Sequence, residues 1–174
     1  DGTKKDFEPI FNAISKTTGL NFEIKVGQTY GAVVEAMANA QVDVAFFGAV
    51  SYLQAKKRGG AELLAVSVKK GQSVYYSGIF TRPDTGIKKL SDLKGKDLAV
   101  GDPSSTSSFN YPMAMLIDSG LDPVKDLNKV VMAGSHVNSL MACVEGKVDA
   151  GCASFDSLQK AVNQGQISAG ALIP

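Results

Sequence analysis

LAVGDPSSTSSFNYPMAMLI, residues 98–117, decides how this chain is read. Residues 98–100 form a short apolar run, and Met113, Leu116 and Ile117 have the spacing of one helix face. Between them stand four serines and one threonine: Ser104, Ser105, Thr106, Ser107 and Ser108. One hydroxyl suffices to cap a helix. A strand–turn–helix entrance with five points to an oxyanion site. The free N–H groups of a first helical turn face outward, and the helix dipole favours negative charge there. Hydroxyls add short, charge-assisted hydrogen bonds. The only cation between Gly101 and Asn128 is Lys125, so such a site works through dipoles. Pro112 constrains the geometry, because a proline inside a helix loses a hydrogen bond and clashes with the preceding turn. Either the regular helix begins near Asn110, with a nest-like loop ahead of it, or it kinks there.

Outward from this stretch, helices and strands alternate. Phe7, Ile10, Phe11 and Ile14 have helical spacing, and Gly19 ends that helix. LNFEIKV (20–26) reads as a strand, 33–38 as a helix, VDVAFF (42–47) as a strand, 52–58 as a helix and ELLAVSV (62–68) as a strand. VYYSGIFTR (74–82) reads as a long strand. RPDTGIKKLSDLKGKD (82–97) is a polar break. It places a lobe boundary between residues 1–81 and 82–174. Beyond it follow the strand at 98–100, a helix ending near Gly120, a strand at 130–133, a helix at 138–145, a strand at 148–153 and a helix at 156–163. Such alternation predicts an α/β fold with mostly parallel sheets flanked by helices. QVDVAFFGAVSYLQ (41–54) faintly echoes KVDAGCASFDSLQ (147–159), which fits two lobes on one plan. Ligands in such sheets bind beyond the carboxyl ends of the strands. Tyr30, Gly48, the Ser-rich loop, His136 and Asp156 all fall there.

Composition excludes several classes. Apolar residues are 44% and charged residues 20%, and the net charge is +1, so there is no electrostatic footprint for nucleic acid or an anionic membrane. No apolar run approaches the roughly 20 residues of a membrane span. The chain opens abruptly with DGTKKDFEP, as a processed or trimmed chain would. Cys143 and Cys152 match neither a disulfide framework nor a metal spacing, and one histidine makes a His-based metal site improbable. No cofactor is expected.

The residues resemble a known family: the phosphonate/phosphite-binding proteins that serve ABC importers, with the two-lobed periplasmic-binding-protein fold. TYGAVVEAMANAQVDVAFFG, VYYSGIF, LSDLKGKDLAVGDPSSTSSF, AGSHVNSLMACVEGKVDAG and the Asp156 loop carry the resemblance, the Ser-rich block most specifically. It implies that Ser105, Thr106 and Ser107 donate to phosphorus-bound oxygens. It also implies that Tyr30 and Tyr75 (or, less well, Tyr76) donate hydroxyls, that His136 contacts a ligand oxygen and that Asp156 supplies a carboxylate. Phe46 and Phe47 fall where aromatic residues wall the cleft. Val137 stands where some members that take aminoalkyl phosphonates carry an acid, which favours phosphite, methylphosphonate or phosphate. The resemblance further implies a periplasmic or extracytoplasmic monomer that works with an ABC transporter permease, with a lipid anchor on a longer gene product. Family members begin with a strand before the first helix and continue well past residue 174, so the fold is expected to be incomplete at both ends.

The residues keep other readings open. A carboxylate beside an anion repels it unless it accepts a ligand proton. Asp156 could therefore receive a P–OH, or simply cap the helix at 157–163. His136 lies in a polar AGSHVNS loop, where a structural role is equally open. Tyr75 and Tyr76 face opposite sides of a strand, so at most one lines a cleft. A hydrolase using Ser105, His136 and Asp156 lacks the G-x-S-x-G elbow. A nucleotide-binding enzyme lacks both phosphate-loop motifs. A receptor input domain, or a thiol sensor for an arsenite-like oxyanion through Cys143 or Cys152, completes the alternatives.

Overall fold

The computed structural model describes residues 2–174. Three helices come first: α1 (Gly2–Thr18), α2 (Tyr30–Ala38) and α3 (Ala49–Gly59). The remainder builds one sheet from β1 (Ser77–Thr81), β2 (Asp97–Val100), β3 (Lys129–Met132) and β4 (Ala150–Ser154). Its helices are α4 (Tyr111–Asp118), α5 (His136–Val144) and α6 (Phe155–Asn163). Strand order is β1-β4-β2-β3. β2 runs parallel to β3 and β4, whereas β1 is antiparallel to β4. The α/β class and the helix-flanked, mainly parallel sheet are as expected.

Strand period 2 divides the core. Leu98 and Val100 point to one face with Leu116 of α4 and Cys152, while Ala99 and Ala153 point to the other with Leu140 and Cys143 of α5. The two cysteines therefore lie in different layers, both buried and unbridged. Ser139 of α5 ties the central strands together: its hydroxyl donates to the Ala99 carbonyl (2.9 Å) and accepts the Cys152 amide (2.8 Å). No helix among the described residues is long and apolar enough to cross a membrane.

The N-terminal half departs from expectation. Segments 20–26, 42–47 and 62–68 belong to no helix or strand, and none joins a ladder. Many of their apolar side chains are exposed, Phe46 to 67% and Leu64 to 78%, while Phe22, Ile24, Val42 and Phe47 are half-buried. The reason is visible in the other half. α2 and α5 begin at residues 30 and 136, and α3 and α6 at 49 and 155, so one constant spacing relates the halves. That spacing sets 23–26 against β3 and 44–48 against β4. β3 and β4 are each bonded to β2, which lies between them. No strand lies between 23–26 and 44–48 among the described residues. Alternation marks a segment able to form a strand, but a ladder needs a partner for every N–H and C=O. The echo is thus longer than the sequence match, and the Leu-Gln pairs fall one place out of step.

The long strand expected at 74–82 is reduced to β1. β1 pairs with β4 although it precedes the 81/82 boundary. Phe46 packs on Phe7 of α1, ring centroids 4.9 Å apart.

Candidate functional site

The Ser-rich loop is shaped by Pro112 and Asn110. Residues Thr106–Asn110 form a widened, π-helical turn that runs directly into α4. The Asn110 amide reaches back to the Ser105 carbonyl (3.1 Å), and its side-chain amide holds the carbonyls of Pro103 (2.8 Å) and Ser105 (2.9 Å). Pro112 has no N–H for the Ser108 carbonyl four residues earlier, and the Gly101 amide bonds to it instead (2.9 Å). The regular helix thus begins at Tyr111, next to the expected Asn110, with a π-helical turn and not a nest-like loop ahead of it, and the proline falls in its first turn. Asp102 closes the loop's entrance, its carboxylate accepting the Ser104 amide (2.8 Å) and its carbonyl the Ser105 amide (2.8 Å). Ser105, Thr106, Ser107 and Ser108 are all buried.

The Ser105 hydroxyl is the centre of the cluster. It accepts the Ser108 hydroxyl (2.7 Å) and the Ser108 amide (3.2 Å), and the His136 Nε2 lies 3.3 Å away. A further neighbour is the Tyr30 side chain, whose pKa it lowers. Tyr30 and His136 arrive by the same local device. Each is the first residue of its helix, preceded by a hydroxyl cap: Thr29 accepts the Ala32 amide and Ser135 the Asn138 amide. The constant spacing makes these two residues counterparts, so the halves present equivalent helix starts to one serine. Both helices begin earlier than the sequence suggested, because the cap stands one residue ahead of Tyr30 and of His136. His136 belongs to α5 and not to a loop.

The chemistry of His136 follows from its partners. The Ser154 backbone N–H donates to Nδ1 (3.1 Å). A backbone amide can only donate, so the proton of the neutral ring is on Nε2 and points at Ser105. Burial holds the imidazole below its usual pKa, which favours this neutral form. Such a ring donates a hydrogen bond and cannot take a proton from Ser105 through Nε2. The tautomer is therefore wrong for a serine–histidine base pair. Burial also raises the Tyr30 pKa, opposed by neighbouring Ser105 and assisted by nearby Asp102 and Tyr75, so the phenol stays protonated. A thiol site has the opposite problem. Both cysteines are buried, and burial pushes their pKa up, away from the thiolate.

Thr106 meets the N-terminal half. Its Oγ1 accepts the Val50 amide of α3 (2.9 Å). A Cβ on Gly48 would lie 3.3 Å from that oxygen and 3.8 Å from the Tyr75 hydroxyl, which places Tyr75 at the same junction. Ser107 presents its carbonyl to the Ser77 hydroxyl (2.7 Å). Asp156 does not cap α6; Ser154 does, accepting the Ser157 amide. Asp156 occupies the first turn and forms an ion pair with Lys69. The structure therefore gathers Tyr30, Tyr75, Ser105, Thr106 and His136 and sets Asp156 against a lysine. Sequence reasoning missed the structural roles of Val50, Ser108 and the Ser154 amide. The missing side chain at Gly48 was the available signal for the first.

Residues 1–172 match the model of a family described as ABC transporter, phosphonate, periplasmic substrate-binding protein. The phosphate-import protein PhnD of Mycolicibacterium smegmatis is 32% identical over 181 residues, covering 97% of this chain and 56% of the relative. The phosphonates-binding periplasmic protein of Escherichia coli is 28% identical over 162 residues, covering 90% of this chain and 48% of the relative. The chain thus spans about half the length of these curated relatives. A binding protein component of an ABC phosphonate transporter from Pseudomonas aeruginosa superposes with a TM-score of 0.89 at 24% identity, over 99% of this chain and 59% of that one. PhnD1 from Prochlorococcus marinus in complex with methylphosphonate gives 0.85 at 20% identity, over 98% and 65%. At these identities the two structures establish a shared fold.

Proposed function

Because the chain belongs to the family of phosphonate-binding periplasmic substrate-binding proteins of ABC transporters, we propose that it captures a small phosphorus oxyanion at the Ser-rich loop for import. One observation carries this reading: the side chains of Tyr30 and His136, from equivalent helix starts in the two halves, both lie beside Ser105 in the Ser-rich loop. Each is a neutral donor. Neutral donors satisfy an anion through fixed lone-pair contacts without the desolvation of a buried cation.

In this reading Ser105, Thr106 and Ser107 supply hydroxyl and amide donors to the phosphorus-bound oxygens. Tyr30, Tyr75 and His136 complete the shell, and the wrong-tautomer histidine suits binding over turnover. Asp156 exchanges Lys69 for a P–OH of the ligand. Sulfate carries no such proton at neutral pH, so the carboxylate would repel it. The names of relatives support both phosphate and phosphonate as cargo. Val137 offers no acid for a ligand ammonium, which favours phosphite, methylphosphonate or phosphate over aminoalkyl phosphonates. The partner is an ABC permease, and the protein works as an extracytoplasmic monomer without a cofactor.

Isothermal calorimetry of phosphate-free protein against phosphite, methylphosphonate, 2-aminoethylphosphonate, phosphate and sulfate tests this. Tight binding of one phosphorus oxyanion with none of sulfate is the expected result. A folded protein that binds none of the five, or binds sulfate equally well, overturns it.

A further inference from the structure

Three helix starts in this protein carry their own hydroxyl cap: Thr29 on α2, Ser135 on α5 and Ser154 on α6. α3 does not. Its N-cap is Gly48, which has no side chain to accept an amide of the first turn. The vacancy is filled from the other half of the molecule. Thr106 Oγ1 accepts the amide of Val50, the second residue of α3, at 2.9 Å. This is the bond an N-cap hydroxyl makes, supplied from the middle of the proposed oxyanion loop.

We infer that Thr106 is a two-way relay, accepting the Val50 amide while donating its own proton to the bound oxyanion, so that Gly48 and Val50 are positioning residues which couple anion capture to the contact between the halves. The inference rests on the oxyanion reading of the Ser-rich loop. A hydroxyl has one proton and two lone pairs, so it can accept from Val50 and donate to a ligand at once. A hydroxyl that accepts from a helix N-terminus is polarised and donates more strongly to an anion. The reverse also holds: an anion that draws on the hydroxyl proton enriches the oxygen, and the Val50 bond tightens. Gly48 allows the approach, since any Cβ there would lie 3.3 Å from Oγ1. The Gly48 backbone is extended (φ −74°, ψ 170°), nearly the conformation of its counterpart Ser154 (φ −79°, ψ 151°), so the position does not need glycine for its dihedrals.

That correspondence supplies the test. Gly48→Ser gives α3 a cap of its own, as Ser154 does for α6, and makes Thr106 redundant there. Val50→Pro deletes the amide donor within a first helical turn, where proline is tolerated; Pro112 already sits in the first turn of α4. Calorimetry with methylphosphonate and with inorganic phosphate, paired with thermal melts, reads both variants. Each is expected to weaken binding by about three- to tenfold, the size of one hydrogen bond. Gly48→Ser is expected to do so without lowering Tm, which a merely structural role would not produce. Thr106→Val is expected to weaken binding further, and adding Gly48→Ser to it is expected to change affinity no more. If the wild type binds and both α3 variants bind equally well, or if the losses of Gly48→Ser and Thr106→Val simply add, the relay is overturned while the oxyanion reading stands. If the wild type binds neither probe, the oxyanion reading falls and the relay with it.

Discussion

Residues 42–48 and 148–154 open with the same Val-Asp pair and follow equivalent helices, yet they end in different states. The second contains β4, all five residues of which are buried between β1 and β2. The first is neither helix nor strand and lies outside any ladder, with Phe46 largely exposed. The helices before them behave alike: both are hydroxyl-capped at the same relative position, and each buries one residue at the matching place, Val34 and Leu140. Helix caps and helix faces are satisfied within the segment. Strand hydrogen bonds are satisfied only by a neighbour. Among the described residues the halves differ in β2: the segment at 148–154 finds it as the other side of its ladder, and no strand stands in that place beside 42–48.

The largest expected effect tests how tightly the β4 copy is packed. A Cβ at Gly151 would stand 2.5 Å from the Ser139 carbonyl oxygen, so Gly151→Ala forces α5 off the sheet. A cost of about 3 kcal/mol is expected from overpacking of this kind. The counterpart position already holds Ala45, half-buried and outside any ladder. Ala45→Gly is expected to cost under about 1 kcal/mol, mainly chain entropy. Urea unfolding of both variants checks the pair, and similar losses at the two positions would break the comparison.

Next comes Ser139→Ala. It strips the Ala99 carbonyl and the Cys152 amide of a partner in a dry interior. About 1–3 kcal/mol should be lost. Val33 holds the matching place on α2, where no ladder needs joining, and Val33→Ala is expected to cost less. Chemical denaturation of the two variants side by side measures the difference; an equal cost would mean that the α2 side of the N-terminal half is as tightly joined.

These differences show what was legible in the residues. The Ser-rich turn, the helices and the strands of the β2 sheet are written in local chemistry: small hydroxyls, helical spacing and apolar alternation. The helices expected from 33, 138 and 156 start at Tyr30, His136 and Phe155, because each hydroxyl cap stands immediately ahead of these residues. The strands expected at 20–26, 42–47 and 62–68 join no ladder, since alternation records a capacity to pair and not a partner. The Val50–Thr106 contact spans the two halves, so no local pattern announces it. Asp156 read as a cap or ligand carboxylate because nothing local links it to Lys69.

A smaller effect separates the counterparts His136 and Tyr30. The folded pKa of His136 is lowered by burial. Between that value and about 6.5, the unfolded chain binds the proton more readily than the folded one. Stability is therefore expected to fall as pH drops below about 6.5 and to be level above it. Tyr30 is shifted upward and gives no change in that range. His136→Asn is expected to remove the acid-side slope in thermal melts between pH 5 and 7, whereas Tyr30→Phe leaves it intact. A slope that survives His136→Asn would assign it to another group.

The smallest expected effect lies on α6. Its Asp156 and Lys160 stand one turn apart and reach into the N-terminal half, to Lys69 and to Asp6 of α1. The matching residues of α3 are Val50 and Gln54, so this electrostatic contact has no counterpart. All four side chains are about half exposed or more. Water and salt screen such pairs, and each is worth about 0.5 kcal/mol or less. A double-mutant cycle of Lys160→Ala with Asp6→Ala should show a coupling of that size at low ionic strength and none in about 0.5 M salt, where the screening length falls to a few ångström. The contact through Thr106 behaves differently, because a buried hydroxyl and a backbone amide carry no net charge for salt to screen. If the coupling of Lys160 with Asp6 persisted in high salt, the halves would be held by a drier and stronger surface than these exposed ion pairs provide, and α6 rather than the Thr106 junction would set their contact.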